Sequence, residues 1–109
     1  MYTSGDYQGA IFNLTKAIEI GPREIGLFYL SGNAKLELKD LQGAIVDFSK
    51  AIAVDPKYDG SYYYRGVAKG HLKDYQGACV DFKRAASLGN QKAAQYLNNP
   101  KSAWCRNMQ

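Results

Sequence analysis

Apolar residues recur at steps of three and four along this chain, as in Ala10, Ile11, Leu14, Ala17 and Ile18 between Tyr7 and Ile20. Such spacing places them on one face of a helix. The pattern of that stretch, YQGAIFNLTKAIEIGP, returns as LQGAIVDFSKAIAVDP and again as YQGACVDFKRAASLGN, with starts at residues 7, 41 and 75 and hence a period of 34. Between these copies lies a second helical pattern, FYLSGNAKLELK from Phe28, echoed one period later by YYYRGVAKGHLK from Tyr62. Two helix types alternating with this period predict a helical-hairpin repeat.

The boundaries carry their own chemistry. Asp6, Asp40 and Asp74 precede the three copies and are suited to cap them, a carboxylate accepting from the first unpaired N–H groups. Gly21-Pro22 and Asp55-Pro56 stop one helix and begin the next. Gly89-Asn90 takes that place in the last copy, ending the helix through a left-handed residue. Lys39 and Lys73 stand at helix ends, where a cation meets the negative end of the dipole. Gly9, Gly43 and Gly77 recur near helix starts, which predicts close packing against a neighbour. A helix from about Gln91 to Leu97 reads as a cap, since a terminal repeat must cover an apolar face. Asn98-Asn99-Pro100 breaks the chain, and Trp104 in the tail is expected to fold back onto the cap. The organisation predicted is one domain, 1–109: a lone second helix at 7–22, repeats at 23–56 and 57–90, a capping helix at 91–98 and a tail at 99–109.

Composition narrows the classes. A chain of 109 residues, 46% hydrophobic and 22% charged, is an ordinary globular domain with one core. Its net charge of +4 is spread along the sequence rather than gathered into a tract, which speaks against nucleic acid as partner. No apolar run spans a bilayer and the N-terminus lacks an export pattern, so a cytoplasmic protein with no membrane partner is expected. Cys79 and Cys105 are far apart and have no His or Cys at metal-like spacing. They are expected as reduced thiols, Cys79 a small buried hydrophobe and Cys105 exposed.

These residues resemble the tetratricopeptide repeat (TPR), whose signature places a large residue, Leu-Gly and Tyr on the first helix and Ala, Phe, Ala and Pro on the second. The second helices here offer Ala44, Phe48, Ala51 and Pro56, then Ala78, Phe82 and Ala85, and earlier Ala10, Leu14, Ala17 and Pro22. The first helices offer Phe28 with Ser31-Gly32 and Tyr62 with Arg65-Gly66, while Lys35 and Lys69 stand in place of the usual Tyr. This R-G-x-A-K form looks like a bacterial variant. The resemblance implies an all-α fold, a right-handed solenoid of antiparallel helix pairs with about two and a half repeats plus a C-terminal capping helix. The small residues Gly32, Ala44, Gly66 and Ala78 are expected to let paired helices approach closely, with Phe48 and Phe82 filling the space between one hairpin and the next. Arg65 and Asp47 are expected to pair across adjacent repeats. The helix at 7–20 has no first-helix partner in the chain, so either the array continues upstream or Ile11, Leu14 and Ile18 meet a second copy in a homodimer.

Function follows as an expectation. In such arrays the first helices line a concave groove, where Tyr29, Asn33, Leu36 and Glu37 form one stripe and Tyr63, Val67, Gly70 and His71 its counterpart, with Leu30 and Tyr64 at the rim. Tyrosines and a histidine beside apolar residues suit a peptide or helix of a partner protein. A solvated face with no ligand is the alternative. Some members grip the C-terminal carboxylate of heat-shock chaperones with Lys and Asn; only Asn33 matches here, Tyr29 and Tyr63 standing where Lys is needed. Successive helical residues point about 100° apart, so Tyr62 is expected in the core, Tyr63 in the groove and Tyr64 at its rim. His71 is the only histidine, and no paired acids, metal cluster or phosphate loop accompanies it. A non-enzymatic scaffold without cofactor or metal is the reading.

Overall fold

The computed structural model describes residues 25–107, all of them in helices or short connections. Five α-helices follow one another: α1 (Ile25–Glu37), α2 (Leu41–Val54), α3 (Asp59–His71), α4 (Tyr75–Ser87) and α5 (Gln91–Asn98). A single 3-10 turn (Pro100–Ser102) and the short α6 (Ala103–Asn107) complete the described chain, which contains no strand. The expected helix at 7–20, its cap Asp6 and the residues Ile11, Leu14 and Ile18 lie outside the described residues.

Two compact units divide the chain, Met1–Pro56 and Lys57–Gln109. The first contains the pair α1–α2 and the second the pair α3–α4 followed by α5 and α6. Contacts within a pair run in opposite senses along the two helices: Gly66 faces Phe82 whereas Gly70, one turn on, faces Ala78. The paired helices are therefore antiparallel.

Each pair is closed by the same turn. Lys39 N–H donates to Leu36 O at 3.0 Å and Asp40 N–H to Lys35 O at 2.9 Å; Lys73 and Asp74 repeat these bonds to Gly70 and Lys69 at 3.0 and 2.9 Å. This double bond pattern is a Schellman motif, which needs its penultimate residue in the left-handed region. Lys39 and Lys73 hold φ of 66° and 67°, and Gly89 meets the same demand at 98°. Lys39 and Lys73 thus lie past the helices that they were expected to end. Asp40 and Asp74 then cap α2 and α4, each carboxylate accepting from the N–H of Gly43 or Gly77 at 3.1 and 3.0 Å. Asn90 caps α5 in the same way, Oδ1 accepting from Ala93 N–H at 2.8 Å.

Gly43 and Gly77 find their reason here. A Cβ on either would press into the capping carboxylate, 2.3 Å from its nearest oxygen, so the neighbour that demands glycine is the cap itself rather than another helix. Gly32 and Gly66 instead answer to the partner helix: a Cβ would meet the Phe48 ring at 2.8 Å in one pair and the Phe82 ring at 3.0 Å in the other. Phe48, Ala44 and Ala51 are fully buried, as are Ala68 and Ala85, so each pair closes over an Ala-rich seam with one large ring in it. Phe82 also meets Tyr96 of α5, ring centroids 4.6 Å apart, which seats the capping helix on the last pair. Asn90 Nδ2 donates to Asp59 at 2.9 Å and ties the start of α5 to that of α3.

Beneath each first helix sits a buried aspartate. Asp47 accepts from Ser31 Oγ at 2.6 Å and pairs with Lys35 Nζ at 2.9 Å. Asp81 accepts from Arg65 Nε and Nη2 at 2.9 and 2.8 Å and pairs with Lys69 Nζ at 3.2 Å. Arg65, expected to pair with Asp47 across repeats, is gripped by Asp81 inside its own helix pair. The reason is geometric: both aspartates lie 16 residues after the position they grip, and the helix pair brings those two positions face to face.

The tail departs from expectation. Cys79 and Cys105 form a disulfide, with Cα atoms 5.7 Å apart. Both are buried, Cys105 completely, because α6 turns back onto α4. The thiols expected to be reduced, and the cysteine expected to be exposed, are neither. Trp104 remains 46% exposed, and its ring meets Tyr75 of α4 edge-on at 6.5 Å.

Candidate functional site

The polar and aromatic stripes expected for recognition lie on α1 and α3, one in each unit. On α1, Tyr29 is half-buried, its ring edge-on to Phe48 at 6.0 Å. Asn33, one turn on, is held by a hydrogen bond from Nδ2 to Tyr29 O at 3.0 Å. Leu36 is half-buried and Glu37 exposed at the helix end, while Leu30 is 53% exposed. An aromatic with a buried ring edge and an open remainder, beside an amide fixed by its own helix, is a pre-ordered surface rather than a loose one.

On α3, the tyrosine triplet divides as the helical period requires. Tyr62 is buried, with the guanidinium groups of Arg65 and Arg84 each 5.8 Å from its ring centre. Tyr63 and Tyr64 are half-buried and touch edge-on at 4.9 Å, and Tyr63 also leans on Phe82 at 5.6 Å. Val67 is half-buried and His71, the last residue of α3, is exposed. Tyr29 and Tyr63 are thus counterparts in detail, each supported from below by the phenylalanine of the second helix.

The electrostatics under these stripes are fixed. Hydrogen bonding to Asp81 raises the Arg65 pKa above its already high value, burial working against it. The guanidinium is therefore charged at every pH at which the protein is folded. Among the described residues no three His, Cys, Asp or Glu side chains gather as metal ligands. Cys79, being bridged, offers no thiolate beside His71. The aspartate pairings and the disulfide were missed from sequence; the 16-residue separation, repeated one period apart, was the available signal for the first, and nothing in the spacing signalled the second.

Residues 32–73 match the family model for the TPR repeat. Among curated proteins no match is found. Solved structures do match. The first TPR of Spaghetti (RPAP3), bound to the HSP90 peptide SRMEEVD, is 27% identical and superposes with a TM-score of 0.83, over 95% of this chain and 82% of that one. The first TPR domain of human RPAP3 is 28% identical with a TM-score of 0.82, covering 94% and 80% of the two chains. The Arabidopsis OM64 TPR domain is 29% identical with a TM-score of 0.81, covering 94% and 83%. Successive helix pairs, a repeat match across the first of the described turns and these superpositions together give the chain the fold of TPR domains.

Proposed function

We propose that this protein is a non-enzymatic interaction scaffold that binds a peptide or helix segment of a partner protein. The contact residues are Tyr29, Asn33, Leu36 and Glu37 on α1 and Tyr63, Tyr64, Val67 and His71 on α3, the first-helix faces that the TPR resemblance assigns to recognition. The observation carrying this reading is the repetition of a half-open tyrosine, braced on a buried phenylalanine, at equivalent places on two first helices. Rigid aromatic surfaces of this kind bind at low entropic cost. A similar TPR domain is seen with an acidic chaperone peptide, which supports peptide binding as the mode. The chaperone tail itself is not the ligand proposed, because Tyr29 and Tyr63 occupy the places where a carboxylate clamp needs Lys.

A cytoplasmic setting belongs to the same proposal. No helix among the described residues is long and apolar enough to cross a membrane. In the cytoplasm the thiol pool works against a disulfide such as Cys79–Cys105.

Peptides selected by display on the immobilised chain, then titrated by calorimetry, test the function. The selected peptide is expected to lose affinity about tenfold or more against Tyr29→Ala/Tyr63→Ala, a change of about 1.4 kcal/mol. Undiminished affinity in a variant that still melts cooperatively would contradict the reading.

A further inference from the structure

We propose that the Cys79–Cys105 bridge is a redox-sensitive latch that docks and releases the C-terminal helix α6 without unfolding the helix pairs. The observations concern how little else holds α6. It has five residues, far below the length at which an isolated helix is stable in water. Its one described aromatic contact, Trp104 on Tyr75, joins two side chains that are each about half exposed. The two sulfurs, by contrast, are buried where α6 crosses α4. Beyond its packing on α5 and α4, the covalent bond is what fastens this short segment to the helix pair.

The helix pairs do not depend on it in the same way. Phe82, Ala85 and Ala78 are buried between α3 and α4, and α5 is seated separately through Tyr96 on Phe82 and Asn90 on Asp59. Losing α6 uncovers Cys79 and the start of α4 but leaves these contacts in place.

The chemistry balances with a dithiol as reductant. Its thiolate attacks one cysteine sulfur, breaking the Cys79–Cys105 bond and releasing the other cysteine as thiolate. The second thiolate of the reductant displaces the first cysteine, so the reductant leaves as a cyclic disulfide and both cysteines are protonated. Because the sulfurs are buried, attack waits on fraying of α6, and the latch opens slowly.

The full-length chain, prepared without reductant, is compared with the same chain in dithiothreitol. Iodoacetamide labelling read by mass spectrometry is expected to find both cysteines blocked before reduction and both labelled after it. In the reduced chain, emission from the single tryptophan shifts to the red and trypsin cuts after Lys101 at least fivefold faster, scored by mass spectrometry after quenching. Hydrogen exchange in α1 to α5 stays within twofold, and oxidised glutathione restores the starting state. Cys105→Ser is expected to behave like the reduced chain with or without reductant. Labelling of both cysteines before reduction overturns the proposal. Unchanged emission and cleavage on reduction overturn it too, as does loss of protection throughout α3 and α4, which makes the bridge a staple of the whole unit.

Discussion

Two lysines occupy a conformation that favours glycine. Lys39 and Lys73 close their turns at φ near that of a left-handed helix, whereas the third turn uses Gly89. A side chain in that region costs about 1 kcal/mol, so Lys39→Gly is expected to raise the melting temperature slightly and Gly89→Ala to lower it. Equal and opposite signs in thermal melts are the check; a loss of stability in both variants would show that the lysine side chains contribute more than the strain removes. The cap glycines behave differently. At Gly43, alanine gains about 1 kcal/mol of helix propensity but displaces the Asp40 carboxylate, whose cap is worth about the same, so Gly43→Ala is expected near neutral. The caps were legible from Asp40 and Asp74 alone, but the left-handed lysines were not. Nothing in a Leu-Lys-Asp triplet marks a backbone that turns back on itself, and the bonds that enforce it reach to residues three and five positions earlier.

Within a helix pair, one small residue and one acid set the fit. Gly32→Ala and Gly66→Ala push a methyl into a phenylalanine ring that has no room to retreat, a change expected to cost about 1–3 kcal/mol. Gly26, on the same helix as Gly32, has nothing within 4 Å among the described residues, so Gly26→Ala is expected to stabilise by up to about 1 kcal/mol. Chemical denaturation of the three variants distinguishes packing from propensity, and a stabilised Gly32→Ala would contradict the packing. Asp47→Ala leaves Ser31 and Lys35 without their shared acceptor. With the lysine about one-fifth exposed, the loss is expected near 2 kcal/mol rather than the larger penalty of a fully buried pair. Asp59→Ala, which removes a partly buried bond from Asn90, is expected to cost less; equal melting temperatures would refute this ranking. The Arg65–Asp81 pair carries a sign for pH. A guanidinium whose pKa is raised on folding contributes fully below its unfolded value and loses that contribution only as pH climbs past the folded one. The cost of Arg65→Met is therefore expected to be the same at about pH 6 and about pH 9, measured by denaturant titration. Which aspartate α3 would grip was ambiguous in sequence, because Asp47 and Asp81 stand on either side of it at repeat-equivalent positions. Only the antiparallel crossing selects the one 16 residues ahead.

Across the whole chain, the repeat period fixed most of what could be read in advance: helix pairs, the Ala-rich seams, the capping helix and the division of Tyr62 from Tyr63 and Tyr64 all follow from spacing. The disulfide did not, because a cysteine in a second helix and one in a tail have no periodic relation, and only the return of α6 joins them. Closing a loop of that 26-residue separation is worth about 3.5 kcal/mol in the chain-entropy picture, before the fraying of α6 is set against it. The recognition stripes stood out as residue types, yet their support by Phe48 and Phe82 became visible only once the helices were paired. The account rests on the claim that these two first-helix faces are where a partner binds. Amide chemical shifts of the isotope-labelled chain, followed as a display-selected peptide is added, test it most directly. Shifts concentrated at Tyr29, Asn33, Leu36, Tyr63, Val67 and His71 are the predicted result; shifts concentrated on the outward residues of α2 and α4, such as Val46 and Val80, with α1 and α3 silent, would contradict it.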